Sequence, residues 1–354
     1  MCRLCIWPGR KRIEVALKRR MRSERPHPPV EPCRLCGSPD VQVMFEAVDH
    51  QGKLPGEFRV GECRECGLKA QNPMPDMAQV RGFYAVDDLY PYETFEVSPI
   101  RSLKNNMLKL AVRVFYPKRP SLISRLGQLL CFPLRLKIIP LRPYGGKLLD
   151  VGCGNGAFLK QASNQGWDVW GCELSQSGAE AAAAGGLRVV HGSVADGGYQ
   201  DRLFDVVRLE QVFEHLNDPR GTLQEIRRIL KLGGIVIIGV PNSDAFSFCL
   251  FKRHWGLLGL PFHLYQYSAA TLSSMLSEQG FEVLRIRYLS LPMCWIWSIN
   301  NALNSWMGWS PRAMVFNNPL TRLISTILFF PLIRLAGMLH PKSKEMFEII
   351  ARRR

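Results

Sequence analysis

Apolar and polar positions alternate in blocks from residue 147 to residue 288, and each block has the length of one strand or one helix. Apolar runs predict strands at 147–151, 167–173, 187–191, 204–209, 235–240 and 281–288. Apolar residues at helical spacing between these runs predict helices that end near residues 165 and 184, and helices at 218–230 and 269–279. This alternation is typical of a doubly wound α/β sheet, whose ligands bind at the carboxyl ends of the strands.

A glycine-rich turn follows the first predicted strand. The backbone there can approach a ligand closely, because three positions of the turn are glycine: Gly152, Gly154 and Gly156. Glu173 closes the next apolar run, where a dinucleotide site has its ribose-binding acid. Asp150, however, lies at the end of the strand, where its carboxylate would repel a pyrophosphate. The same carboxylate suits a ligand that carries an ammonium and a sulfonium.

With these features, the stretch from residue 147 to about residue 288 resembles the class I S-adenosylmethionine-dependent methyltransferases. Further motifs follow in the order of that family: 171–175 around Glu173, 204–207 with 212–219, and 230–240. The resemblance implies a Rossmann-like sheet that ends with a seventh, antiparallel strand. Residues 346–351 are the best candidate for that strand. Residues 289–344 are then an insertion in a methyltransferase domain that covers 143–354.

The resemblance also implies which residues bind the cofactor S-adenosylmethionine. Asp150 is expected to face its ammonium group, directly or through water, and Glu173 its ribose hydroxyls. The remaining expected contacts are Gly152, Gly154, Gly156, Val194 and Gln211. Near Val194, Ser193 occupies a position where the family often has an acid, and Asp196 is the alternative acid. For Gln211, capping of a helix start is the competing explanation.

Three residues are expected on the side of the methyl acceptor. His215 is the candidate base, because a neutral imidazole can take a proton from a hydroxyl near pH 7. A purely architectural histidine is the alternative. His263 and Tyr265 belong to a His-Leu-Tyr segment that resembles the segment of the family facing the acceptor, and they are the second choices.

Two Cys-x-x-Cys pairs, each followed by glycine, predict a zinc ribbon over residues 31–72. Its ligands are Cys33, Cys36, Cys63 and Cys66. Four thiolates close the coordination shell, so the zinc is expected to be structural. The alternative is two disulfides or four unrelated thiols. The other cysteines lie mostly in apolar segments, which indicates a reducing compartment and disfavours disulfides.

The flanking segments carry much of the formal charge of +16. Residues 1–30 predict a disordered basic tail, with a true start at Met21 as the alternative. Residues 73–142 predict an aromatic and basic helical linker. Tyr84, Tyr90 or Tyr92 in this linker is the expected counterpart of a family segment that covers the cofactor, and core packing is the alternative. Such a charge favours acidic partners: nucleic acid, anionic lipid or a phosphorylated substrate.

The insertion at 289–344 combines four tryptophans with an apolar run at 323–333 that arginines flank. The run is too short to cross a bilayer, which needs ~20 apolar residues. The composition predicts a monotopic segment on the anionic, cytoplasmic face of the membrane. A buried helical lid or a dimer interface is the alternative. No secretory signal is visible at the start, so a cytoplasmic location at the inner membrane face is expected.

Together these features predict an enzyme that methylates a sugar, a nucleotide sugar or a glycolipid. An RNA methyltransferase and an inert S-adenosylmethionine-binding scaffold are the alternatives. Nucleic acid is the less favoured partner, because the apolar insertion has no use in a phosphate groove and the basic residues are not interleaved with stacking aromatics. The sequence predicts no particular oligomeric state.

Overall fold

The computed structural model describes residues 29–84, 146–310 and 340–354. Its first part is an antiparallel sheet of β1 (Val41–Val48), β2 (Glu57–Cys63) and β3 (Lys69–Gln71), followed by the helix α1 (Met77–Tyr84). A short strand from much later in the chain, β9 (Tyr265–Gln266), pairs with β3 and extends this sheet. The cysteine-bearing ribbon therefore shares a sheet with the second half of the chain.

The second part is a seven-stranded sheet in the order β10-β11-β8-β7-β4-β5-β6. Its strands are β4 (Lys147–Val151), β5 (Asp168–Glu173), β6 (Val189–His191), β7 (Phe204–Glu210), β8 (Leu230–Pro241), β10 (Phe281–Leu289) and β11 (Met346–Arg353). The strand β11 is antiparallel to both of its neighbours, β8 and β10. The expected doubly wound α/β fold and its antiparallel last strand are confirmed.

Six helices of the described residues accompany this sheet. They are α2 (Ala157–Ser163), α3 (Gln176–Ala184), α4 (Pro219–Ile229), α5 (Phe246–Phe251), α6 (Ala269–Glu278) and α7 (Pro292–Met307). Side-chain caps fix where three of them begin: Ser175 accepts a hydrogen bond from the Gly178 amide, Asp218 accepts one from the Gly221 amide, and Ser268 and Thr271 form a capping box. These local signals explain why the predicted starts of α4 and α6, at residues 218 and 269, are close to the observed ones.

Apolar side chains of alternate strand residues pack on both faces of the large sheet. Leu149 and Val207 belong to the cluster on one face, and Leu148 and Val206 to the cluster on the other. All four are almost fully buried. Burying one such side chain contributes about 1.5–3 kcal/mol, so the continuous apolar runs of these strands reflect burial on two sides.

The main difference from the predicted elements is at β8, which begins at Leu230 rather than at residue 235. Leu230 pairs with Phe204 at the start of β7, and the pairing resumes after an irregularity. The glycines at 233 and 234 indicate a turn in the sequence, but Gly233 takes a positive φ of 73° within the strand.

The insertion begins with α7, whose first half lies on the large domain. Cys294 and Ile296 are buried, and the indole nitrogen of Trp295 donates to the Glu345 carboxylate over 2.7 Å. At the other end, Trp306 in the last turn of the helix is 82% exposed, and Trp309, just after the helix, is 46% exposed. The expected tryptophan-rich surface is thus divided between a docked part and an exposed part.

Several predicted features lie outside the described residues. They are the basic tail at 1–28, most of the linker with Tyr90 and Tyr92, and the apolar run at 323–333. Within the three described ranges, no helix combines the length and the apolar character needed to cross a membrane.

Candidate functional site

The glycine turn connects β4 to α2 at the carboxyl edge of the large sheet. Gly152, Gly154 and Gly156 all have positive φ, at 69°, 54° and 77°. A Cβ atom on Gly152 would lie 2.4 Å from Cγ2 of Val212, in the loop after β7. Only glycine can combine this backbone conformation with so close a neighbour, as the sequence predicts.

Glu173 ends β5 beside this turn and is 8% exposed. The backbone N–H of Gly154 donates to one of its carboxylate oxygens over 2.8 Å, and the N–H of Ser175 donates to the other over 2.9 Å. These two bonds orient the carboxylate beside the turn. A carboxylate held in this way can accept hydrogen bonds from the hydroxyls of a ligand, which is the expected role of Glu173.

Asp150 lies at the end of β4 and is 2% exposed. Its carboxylate accepts a hydrogen bond of 2.8 Å from Arg208, the residue that pairs with it on β7. Burial raises the pKa of Asp150 to about 6, although the Arg208 guanidinium opposes the shift. Arg208 therefore balances much of the negative charge of Asp150. Asp150 repels a phosphate group less strongly than the sequence alone indicates.

Arg208 is a site residue that the sequence does not reveal. Its guanidinium also lies 3.4 Å from the Glu210 carboxylate and 4.0 Å from the centre of the Phe158 ring. Phe158 belongs to α2, so Arg208 connects the glycine turn's helix to β7. A single basic residue within a strand carries no local signal of its partner on the neighbouring strand.

The two other expected cofactor contacts lie at the same edge of the sheet. Val194 is 4% exposed and directly precedes a short 3-10 helix after β6. Nearby, Asp196 accepts hydrogen bonds from the N–H and the hydroxyl of Ser193, which hold its pKa below the usual value. Gln211 has a φ of 58° and donates to the carbonyl oxygen of Gly239. A non-glycine residue in this conformation is characteristic of functional loops.

His215 and His263 lie together, with ring centroids 4.7 Å apart and perpendicular ring planes. Nδ1 of His215 is 3.0 Å from the Phe262 carbonyl oxygen, and Nδ1 of His263 is 3.0 Å from the Leu257 carbonyl oxygen. Burial lowers the pKa of His215 to about 4 and that of His263 well below its usual value. Both imidazoles are therefore neutral near pH 7.

Glu214 belongs to the same cluster, and the sequence did not single it out as a site residue. It is 1% exposed, and burial raises its pKa to about 8. Glu214, His215 and His263 each have one ligand atom within 4.8 Å of those of the other two. At this separation the three side chains could hold one metal ion. An acid beside a histidine just after a strand is the signal in the sequence that could have indicated it.

Tyr265 makes different contacts. Its hydroxyl donates to the Asn217 carbonyl oxygen over 3.5 Å, and its ring stacks on Tyr267 with centroids 5.6 Å apart. The side chain is 2% exposed. These contacts hold Tyr265 against the loop that follows His215.

The four cysteines of the ribbon also gather as expected. The Sγ atoms of Cys33 and Cys66 are 3.6 Å apart, and those of Cys36 and Cys63 are 3.4 Å apart. All four thiols are free and lie within 4.8 Å of one another. Four thiolates around one zinc ion, at ~2.3 Å each, lie about 3.8 Å from one another, so the cluster fits such an ion.

Two turns build this cluster. Gly37 and Gly67 follow the two cysteine pairs with φ of 76° and 72°. Their backbone N–H groups donate to the carbonyl oxygens of Cys33 and Cys63. Each glycine closes a tight turn that points both thiols of its pair to one side.

This chain is similar to a known protein family and to several known proteins. The family described as "Methyltransferase domain" matches residues 124–286. A ubiquinone biosynthesis O-methyltransferase of Thiobacillus denitrificans is 32% identical over 165 residues, which cover 42% of this chain and 71% of that protein. One of Pectobacterium carotovorum subsp. carotovorum is 32% identical over 126 residues, 32% of this chain and 52% of that protein.

Among solved structures, an S-adenosylmethionine-dependent methyltransferase from Archaeoglobus fulgidus covers 70% of this chain and 99% of its own. Its sequence identity to this chain is 19% and its TM-score 0.42. The chain spans about half the length of several curated relatives it matches.

Proposed function

Because this chain belongs to the class I S-adenosylmethionine-dependent methyltransferases, we propose that it transfers a methyl group from S-adenosylmethionine to a hydroxyl of a sugar or a glycan- or lipid-linked acceptor at the cytoplasmic face of the membrane. The observation that carries the reaction is the pair of neutral histidines beside the loop that contacts the glycine turn. The relatives named as O-methyltransferases support an oxygen acceptor.

The cofactor supplies a methyl group on a positively charged sulfur. The residues of the carboxyl edge fit such a ligand: the three positive-φ glycines let the backbone turn tightly beside it, and Glu173 is oriented to accept hydrogen bonds from its ribose hydroxyls. Asp150 would attract its ammonium group, with Arg208 setting the strength of that attraction. Val194 and Gln211 would line the same site.

On the acceptor side, the chain must orient a hydroxyl and remove its proton. In the protein without a metal ion at this cluster, His215 is the proposed base. Its Nδ1 lies against a carbonyl oxygen, so that Nε2 carries the lone pair. His263 would orient the acceptor beside it, and Tyr265 would hold the loop in place through Asn217.

The cysteine ribbon would bind one structural zinc ion. Support comes from the sulfur–sulfur distances and from the two glycine-closed turns. All four ligands are sulfur, and a closed shell leaves no coordination position for the acceptor.

The membrane location has support from the exposed end of α7. Trp306 and Trp309 present large aromatic surfaces there, and tryptophan prefers the headgroup level of a bilayer. An acceptor linked to a membrane lipid would be delivered to such a surface.

Methyl-labelled S-adenosylmethionine tests the proposal with the purified chain and with glycolipid, polysaccharide, lipid and RNA fractions from cells that lack the gene. Label in a glycan or lipid-linked sugar supports it. Label in RNA alone would show that the acceptor is a nucleic acid and not a sugar. If the chain released no heat on titration with S-adenosylmethionine and labelled no fraction, an inert scaffold would be the better description.

A further inference from the structure

Two separate segments bring Glu214, His215 and His263 together. Glu214 and His215 lie in the loop after β7, whereas His263 lies just before β9. The Leu264 N–H donates to the carbonyl oxygen of Glu214 over 2.8 Å, and Nδ1 of His215 reaches the Phe262 carbonyl oxygen. The two segments are therefore fixed to each other by bonds on both sides of His263.

The two imidazoles are oriented as histidine ligands are in metal centres. Each has its Nδ1 3.0 Å from a backbone carbonyl oxygen. A carbonyl oxygen only accepts, so Nδ1 carries the proton in both rings and Nε2 carries the lone pair. In metalloproteins this second contact of the ring fixes the tautomer and the direction of the ligand nitrogen.

The Glu214 carboxyl group supplies the second, independent observation. It is 1% exposed, and among the described residues no other residue donates a hydrogen bond to either of its oxygens. A buried carboxyl group without partners is unfavourable, and native proteins rarely keep one unless a ligand or an ion satisfies it. The ligand-type atoms of the two histidines lie within 4.8 Å of it.

We propose that Glu214, His215 and His263 bind one divalent cation of the zinc type. Two imidazole nitrogens and one carboxylate are a ligand set that zinc accepts at catalytic sites, and three protein ligands leave a position open for an oxygen. The cation would also balance the buried carboxylate. This centre is distinct from the ribbon cluster, which has four sulfur ligands.

What the cation does rests on the proposed function. At the open position it would hold the acceptor hydroxyl and lower its pKa. With the cation bound, His215 would no longer be the base, because its Nε2 lone pair would hold the cation. The O–H bond would break and its proton would leave to solvent water. The oxygen then forms the bond to the methyl carbon, while the electrons of the breaking sulfur–carbon bond remain on sulfur.

The experiment uses the full chain and a metal ion alone, so it needs no acceptor. Zinc content is measured after equilibration and gel filtration, and cobalt(II) spectra distinguish thiolate ligands from nitrogen and oxygen ligands. We expect about two ions per chain in the wild type. His263→Gln and Glu214→Gln are each expected to lower this to about one ion and to leave the thiolate–cobalt absorption intact.

A matched control is His254→Gln, which changes a half-buried histidine that contacts His50 outside this cluster. It should retain both ions. Titration with S-adenosylmethionine shows whether each variant is folded. A wild-type chain that binds a single, all-thiolate ion, or a His263→Gln variant that still binds both, would overturn the proposal. If two ions bind but no fraction is methylated, the metal site stands and the proposed function fails.

Discussion

The side-chain amide of Gln71 donates a hydrogen bond of 2.6 Å to the carbonyl oxygen of Pro261, across 190 residues of sequence. The same amide also donates to the His263 carbonyl oxygen over 3.3 Å, and the backbone N–H of Gln71 donates to the Leu264 carbonyl oxygen. Gln71 is 5% exposed and ends β3, the strand of the ribbon that pairs with β9. The cysteine ribbon therefore holds the segment that carries His263.

Replacing Gln71 by alanine is expected to loosen that segment. The change leaves the carbonyl oxygen of Pro261 without its donor, at a cost of about 1–3 kcal/mol for a buried group. Hydrogen exchange measured by mass spectrometry should become faster over 261–267, while affinity for S-adenosylmethionine should stay the same. Gln42→Ala is the control, because Gln42 is an exposed residue of the same ribbon. Unchanged exchange in Gln71→Ala would contradict the coupling.

The sequence predicts the sheet well but not the contacts between distant segments. Continuous apolar runs identify the strands, and the Gly-rich turn and Glu173 are local signals of a ligand site. The pairing of Asp150 with Arg208 depends on the register of two strands, and the link from Gln71 to Pro261 depends on β9 joining the ribbon. Local periodicity shows neither the register of β4 and β7 nor the pairing of β3 with β9, so both contacts require the structure.

A pair of glycine substitutions separates backbone strain from steric overlap. Gly152 and Gly186 have similar φ, 69° and 77°, but a Cβ on Gly152 would meet Val212 at 2.4 Å, whereas a Cβ on Gly186 has no neighbour within 4 Å. Gly186→Ala should lower the free energy of unfolding by about 1–2 kcal/mol through strain alone. Gly152→Ala should lower it further and also weaken S-adenosylmethionine binding. Urea denaturation and calorimetric titration measure the two effects, and equal losses in both variants would exclude the overlap.

Glu173→Gln is expected to weaken binding of S-adenosylmethionine by about ten- to a hundred-fold, since hydrogen bonds to a charged group contribute roughly 1.5–3 kcal/mol. The amide cannot accept from both Gly154 and Ser175, so the side chain also loses its orientation. Isothermal titration measures the change. Glu180→Gln alters an exposed acid on α3 and serves as the control. If both variants bound as tightly as the wild type, Glu173 would not be a ribose ligand.

Binding of S-adenosylmethionine should weaken as the pH falls through about 6. Burial raises the pKa of Asp150 to about 6, so its charged form, which attracts the ammonium group, predominates only above that pH. We expect constant affinity above pH 7 and a loss approaching ten-fold per unit below pH 6. In Asp150→Asn the affinity should be lower and independent of pH in this range.

The control for the pH experiment is Asp196→Asn. Hydrogen bonds from Ser193 hold the pKa of Asp196 below its usual value, so this carboxylate stays charged throughout the range. The variant should keep the pH dependence of the wild type. A wild-type affinity that does not change between pH 7 and pH 5 would mean that Asp150 does not contact the ammonium group.

The exposed end of α7 gives a test of the proposed membrane contact. Trp306 is 82% exposed and Trp309 46% exposed, so replacing both by alanine should leave the fold intact. If these indoles enter the headgroup region, the double variant should bind liposomes that contain anionic lipid at least about ten-fold more weakly. Leu232→Ala removes another apolar side chain, 62% exposed on β8, and should change nothing. Equal liposome binding by the wild type and the tryptophan variant would exclude this surface as the membrane contact and would favour a lid or a dimer interface.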